Sequence, residues 1–121
     1  MGNIASKYDI KGLSEGLEVD LADLVGLFSS YFEEMKNEVS ELKGLLDRKD
    51  WYMLERVVHN IKGVSANLYI NDVFHETEKF DRLLKNNDTS DADKHVEMID
   101  RMISSAEESI GLFFKENGLE I

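Results

Sequence analysis

The sequence predicts an all-α protein, an antiparallel up-down four-helix bundle with a short N-terminal helical or irregular segment. Three observations support this fold class. The 121 residues include no proline, so nothing interrupts long helices. Apolar residues recur at intervals of three and four along four stretches. Short polar turns separate those stretches, and short connections make consecutive helices antiparallel neighbours.

Residues 1–18 scatter apolar side chains among glycines, and we predict that they form a segment capping one end of a bundle made by residues 19–121. The first long helix should run from the N-cap Asp20 to about Asp47. Leu27 and Tyr31 widen its apolar stripe beyond what a core face needs. Two interpretations stay open: the N-terminal segment covers these residues, or they form an apolar docking patch.

Three further helices complete the predicted bundle. The second begins after the N-cap Asp50 and ends near Leu68, and the third spans about 72–87 with Asn71 as its cap. The fourth spans about 91–117, and Gly118 should be its C′ residue. The inward residues of the last two helices are predicted to be Val73, Thr77, Phe80, Leu84, Ala92, Val96, Ile99, Ile103, Ala106, Ile110 and Phe113.

Composition excludes several classes of protein. The formal net charge of −11 and the lack of any basic run argue against nucleic-acid binding. Without cysteine there is no disulfide, no thiolate metal site and no cysteine nucleophile. No apolar run could cross a bilayer and no signal peptide is visible, so we expect a cytoplasmic protein. The acidic charge disfavours non-specific self-association, and we expect a monomer. Residues 1–6 fit a myristoylation pattern, which we interpret as a chance match because nothing polybasic follows.

One histidine lies on a helical face that also carries a cation and two small residues. The apolar stripe of the second long helix leaves His59 on another face, next to Lys62, Gly63 and Ala66. A free imidazole is largely neutral and nucleophilic at neutral pH, and a lysine one turn away would pair with an anion attached to it. A side chain at position 63 would lean back over the ring, so glycine leaves the ring uncovered. This face suits a histidine that accepts a phosphoryl group and offers it to a docked protein.

At these residues the sequence resembles the histidine-containing phosphotransfer (HPt) domain of multistep phosphorelays. That family has a histidine, then lysine and glycine three and four residues later, then leucine at nine, which His59, Lys62, Gly63 and Leu68 reproduce. The family often has glycine at ten, where this chain has Tyr69. The resemblance extends over roughly residues 12–117.

The resemblance implies a phosphocarrier without autokinase activity, whose His59 relays a phosphoryl group between receiver-domain aspartates through Nε2. Lys62 would offset the phosphoryl charge, and Gly63 would allow close approach. The implied partners are response-regulator receiver domains and a sensor or hybrid histidine kinase. No cofactor is implied here, because Mg²⁺ belongs to the receiver. Docking residues are predicted on the same face: Tyr52, Glu55, Arg56 and Ala66. Glu55 is also a hypothetical acceptor from the second ring nitrogen.

Other functions fit the sequence less well. A di-iron bundle needs two inward Glu-x-x-His pairs, and this chain has none; Glu55 and His59 could hold only a weak surface ion. Ser65 lies on the wrong face to act as a nucleophile with His59. His75 and His95 lack comparable neighbours, and we interpret both as surface residues. The remaining alternative is a non-catalytic helical adaptor, which binds a signalling partner without transferring a phosphoryl group.

Overall fold

A computed structural model describes residues 8–121, and this part of the chain forms five α-helices and no strand. The four long helices begin and end within two residues of their predicted bounds. The predicted caps of the first two, Asp20 and Asp50, occupy the N-cap positions. The helices are α1 Ile10–Leu17, α2 Leu21–Arg48, α3 Trp51–Asn67, α4 Asn71–Lys85 and α5 Ala92–Glu116.

The long helices pack in a closed ring, in which α2 contacts α3, α3 contacts α4, α4 contacts α5 and α5 contacts α2. All of the inward residues predicted for α4 and α5 are buried. Residues 10–17 of the predicted capping segment form the short helix α1, and this helix packs against α2. The part of that segment in residues 1–7, including the myristoylation pattern, lies outside the described residues. Among residues 8–121, no helix is long and apolar enough to span a bilayer.

The turn between α3 and α4 differs from the prediction. The sequence predicts Asn71 as the cap of α4, but α4 begins at Asn71 and the N-cap is Ile70. The side chain of Ile70 is fully buried, and its N–H donates to the carbonyl of Ser65 at 3.0 Å. Burial of an apolar anchor therefore sets the start of α4, in place of a polar cap.

Tyr69 occupies the left-handed residue of this turn, with φ of 60°. Its N–H donates to the Ala66 carbonyl at 3.2 Å, and together with the following Ile70–Ser65 bond this closes the end of α3. An L side chain in this conformation costs about 1–2 kcal/mol relative to glycine. The turn thus has the backbone that favours glycine, although the chain carries tyrosine there.

The structure excludes one of the two open interpretations of Tyr31 and corrects the prediction for His95. Tyr31 is not part of an exposed docking patch: it is buried, and its hydroxyl lies 2.7 Å from the Ser65 hydroxyl between α2 and α3, while Leu27 is 46% exposed. His95 is not a solvated surface residue. Its side chain is only 14% exposed, its Nδ1 lies 2.7 Å from Glu76 Oε2, and its ring stacks on Phe80.

Candidate functional site

The packing of α3 fixes the direction in which His59 points. Its neighbours Val58 and Ile61 are fully buried, so the helix cannot rotate about its axis without exposing them. His59 consequently projects from the bundle, and its side chain is 61% exposed. The sequence prediction of an exposed imidazole on this helix is confirmed.

A buried carboxylate on α4 lies beneath the histidine. The side chain of Asp81 is 2% exposed, and its Oδ2 lies 3.4 Å from His59 Nδ1. The same oxygen lies 2.8 Å from Lys62 Nζ and 3.3 Å from Lys85 Nζ. Three cationic or proton-donating groups therefore converge on one carboxylate oxygen. Because a carboxylate only accepts hydrogen bonds, this contact favours the His59 tautomer with its proton on Nδ1.

The surroundings of Asp81 keep it ionised. Burial by itself raises the pKa of this carboxyl, but hydrogen bonds from Glu55, Lys62, His59 and Lys85 outweigh burial and hold the pKa well below its usual range. The pKa of the neighbouring Glu55 shifts in the opposite direction. Its pKa is raised, chiefly because a protonated Glu55 can donate to Asp81 and secondly because Glu55 is partly buried.

The hypothesis that Glu55 accepts from the imidazole is corrected by this geometry. The carboxylate within hydrogen-bonding distance of the ring belongs to Asp81, on a different helix. Glu55 lies near enough to both groups to interact with each, and the ligand atoms of Glu55, His59 and Asp81 are all within 4.8 Å of one another. Among the described residues this is the group of side chains that could hold a metal ion.

Lys62 and Gly63 occupy the positions that the sequence predicts, one turn beyond His59. Lys62 is partly buried, with its ammonium group directed to Asp81 Oδ2. Gly63 is exposed, and a Cβ built on it would meet no atom within 4 Å. The surface beside His59 is therefore open toward the C-terminal end of α3.

The predicted docking residues lie around the same histidine with different degrees of exposure. Tyr52 is 69% exposed and receives a hydrogen bond of 3.4 Å from Arg56 Nη1, while Ala66 is half-buried. An open depression of about 460 Å³ adjoins the imidazole. It is lined by Glu55, Arg56, His59, Asn60 and Lys85.

The sequence pattern does not identify Asp81 and Lys85 as site residues. Asp81 lies 22 residues from His59 in the chain, so only the packing of α4 on α3 brings them together. One signal was present: Asp81 follows the inward Phe80 and is four residues before Lys85, a spacing at which helical residues of opposite charge pair. That signal identifies an ion pair but not its proximity to His59.

The arrangement combines an accessible nucleophile, an oriented ring and cations beside it. Such a set can accept a phosphoryl group from another protein and stabilise its charge. In comparison with known proteins, the family model described as the Hpt domain matches residues 26–109, and this range includes the whole site. Comparison with curated proteins found no significant match, and neither did comparison with solved structures.

Proposed function

The chain belongs to the Hpt domain family, whose members are phosphocarrier modules of two-component signalling, and we propose that it relays phosphoryl groups between receiver-domain aspartates through His59. The observation that carries the proposal is the orientation of the imidazole. With its proton on Nδ1, the His59 ring donates a hydrogen bond to Asp81. Nε2 therefore keeps its lone pair and faces away from the carboxylate, in a side chain that is 61% exposed.

The transfer follows from these positions. The Nε2 lone pair attacks phosphorus of an aspartyl phosphate, the bond from phosphorus to the aspartyl oxygen breaks, and the receiver regains its carboxylate. The ring now carries a proton on Nδ1 and phosphorus on Nε2, and is cationic. Asp81 Oδ2, 3.4 Å from Nδ1, stabilises this charge. In the second transfer a receiver aspartate attacks the same phosphorus and the electron pair returns to Nε2.

Lys62 supports both directions of transfer. Its ammonium group lies one turn from the ring and offsets negative charge on the phosphoryl oxygens, while Asp81 limits its motion. The proposal places Mg²⁺ in the receiver and assigns no cofactor or autokinase activity to this chain. Its partners would be receiver domains and a sensor or hybrid histidine kinase, met by a monomer.

The proposal also takes the four long helices as an antiparallel up-down bundle. The connections are short: residues 49–50 follow α2, residues 68–70 follow α3 and residues 86–91 follow α4. Connections of this length join neighbouring helices that run in opposite directions. The predicted docking residues would then surround the phosphoacceptor on one side of the bundle.

The test is phosphorylation of the purified chain by a phosphorylated receiver domain. Wild type should acquire an acid-labile phosphoryl group, and His59→Gln should acquire none while keeping its helix content and melting temperature, since the residue is exposed and polar. His75→Gln is the matched control, because His75 is an exposed helical histidine too. Labelling that persists in His59→Gln would refute the proposal, whereas receiver binding without any labelling would support an adaptor.

A further inference from the structure

The side chains that orient the phosphoacceptor also have the composition of a metal site. We propose that Glu55, His59 and Asp81 bind Zn²⁺, and that the bound ion switches off the phosphoacceptor. The ligand atoms of the three residues lie within 4.8 Å of one another. The zinc site itself stands on this geometry, and only its regulatory consequence rests on the proposed function.

The donor set fits zinc better than Mg²⁺. Zinc is bound by one imidazole nitrogen and carboxylate oxygens at roughly 2.0–2.2 Å, with water completing an open site. Mg²⁺ prefers an all-oxygen octahedral shell and retains its waters. The two more accessible ligands can adjust, since Glu55 is only partly buried and the His59 side chain is 61% exposed. Asp81, held between α3 and α4, is the fixed ligand.

A second observation points to a cation at this place. Asp81 Oδ1 is buried, and no described residue donates a hydrogen bond to it unless Glu55 is protonated. The opposite oxygen, Oδ2, carries the contacts to the lysines and to His59. A buried carboxylate oxygen without a partner is costly, and the adjacent Glu55 carboxylate adds like-charge repulsion. Either a proton between the two carboxyl groups or a cation bound by both relieves this cost.

The two lysines oppose metal binding but do not occupy the same oxygen. Lys62 and Lys85 contact Oδ2, which leaves Oδ1 for the ion. Lys85 is the more exposed of the two, at 56%, and can withdraw toward solvent. Removing its charge should therefore strengthen zinc binding, whereas removing any of the three ligands should weaken it.

The consequence for the phosphoacceptor follows from the tautomer of the ring. The imidazole directs Nδ1 toward Asp81, so zinc would bind the Nδ1 lone pair. A neutral imidazole that gives Nδ1 to a metal carries its proton on Nε2. Nε2 then has no lone pair with which to attack phosphorus. Zinc would thus prevent phosphorylation without covering the nitrogen that reacts.

The experiment is a titration of the purified full chain with zinc chloride, followed by calorimetry and by NMR of the histidine rings. We expect one ion per chain, with the His59 resonances shifting and those of His75 unchanged. His59→Gln, Glu55→Gln and Asp81→Asn should each weaken binding by roughly tenfold or more. His75→Gln should bind as wild type does, Lys85→Gln should bind severalfold more tightly, and millimolar Mg²⁺ should not shift the His59 resonances.

Several outcomes would overturn the zinc site: absence of binding, wild-type affinity in His59→Gln or Glu55→Gln, or unchanged or weaker binding in Lys85→Gln. Glu55→Gln alters a partly exposed side chain and keeps the test valid if Asp81→Asn folds poorly. The regulatory step is measured separately, with phosphoramidate as donor, so that zinc cannot act on a receiver. Zinc binding by a chain that forms no phosphohistidine without zinc, either from phosphoramidate or from a phosphorylated receiver, would refute the proposed function and leave the site intact. Undiminished labelling at saturating zinc would refute the switch alone.

Discussion

Lys62 Nζ lies 2.8 Å from Asp81 Oδ2 between α3 and α4, where the Asp81 side chain is 2% exposed. The chain contains an ion pair of the same length in a different environment. Lys43 Nζ lies 2.8 Å from Asp100 Oδ2 between α2 and α5, with side chains 58% and 37% exposed. The two pairs therefore have the same length and differ in burial, and Asp81 Oδ2 has two further partners, His59 and Lys85.

Asp81→Asn should reduce the free energy of unfolding by roughly 1.5–3 kcal/mol, because it removes hydrogen bonds to a charged, buried group. Asp100→Asn should cost less than about 1 kcal/mol, as exposed ion pairs generally do. Urea unfolding of both variants at neutral pH measures the difference. Equal losses in the two variants would mean that neither burial nor the additional partners of Asp81 adds to stability.

The contribution of Asp81 to stability should depend on pH. Its pKa is lowered in the folded state, so its contribution is complete above the unfolded pKa of about 3.9 and is lost as pH falls through the lower folded value. The stability difference between wild type and Asp81→Asn should therefore be constant from about pH 7 to pH 5 and shrink below about pH 4. Measurements in the Glu55→Gln background remove the neighbouring carboxyl, whose raised pKa acts with the opposite sign.

Lys62→Gln should slow phosphoryl transfer in both directions by roughly tenfold or more, because a preorganised cation near the developing charge is lost. Lys85→Gln is the matched comparison. It removes the same charge from the same carboxylate oxygen, but from 3.3 Å and from a side chain that is 56% exposed. A smaller effect is therefore expected. Rapid-quench transfer assays measure both rates, and wild-type rates in Lys62→Gln would reduce Lys62 to a structural partner of Asp81.

The site residues that could be predicted from the sequence all lie on a single helix. His59, Lys62 and Gly63 occur within five positions, so helical periodicity alone places them together. Asp81 and Lys85 come from another helix. The periodicity within one helix does not predict which residues of α4 lie beside which residues of α3. The apolar stripes could be predicted for the same local reason, since burial repeats every three or four residues. The prediction for His95 is wrong because its cover, Phe80 and Glu76, comes from α4.

Tyr69 tests a backbone effect that can be isolated by comparing two variants. Tyr69→Ala and Tyr69→Gly both remove the ring, but only glycine relieves the left-handed backbone at φ of 60°. Tyr69→Gly should therefore be more stable than Tyr69→Ala by about 1 kcal/mol in thermal or urea unfolding. At Gly63, within α3, the preference between alanine and glycine should be reversed. Equal stability of Tyr69→Ala and Tyr69→Gly would show that the turn relaxes to another conformation.

Gly63→Ala should stabilise the protein by about 1 kcal/mol, since alanine is the better helix former and its Cβ would meet no atom within 4 Å. Gly63→Gln should also fold at least as well as wild type. Its longer side chain would lean back toward His59, in the direction that helical side chains follow. Gly26→Gln is the control, because Gly26 is another exposed glycine within a helix whose added Cβ meets no atom.

Gly63→Gln should nevertheless transfer phosphoryl groups poorly with every receiver. The receiver aspartate must come in line with the ring nitrogen, and a misplacement of about 1 Å can cost on the order of a hundredfold in rate. Phosphoramidate needs no protein docking, so it should label His59 in Gly63→Gln nearly as fast as in wild type. Loss of labelling with both donors would show that glycine serves the chemistry of the imidazole itself. Loss with receivers alone, and not in Gly26→Gln, places the requirement for glycine in the approach of the partner.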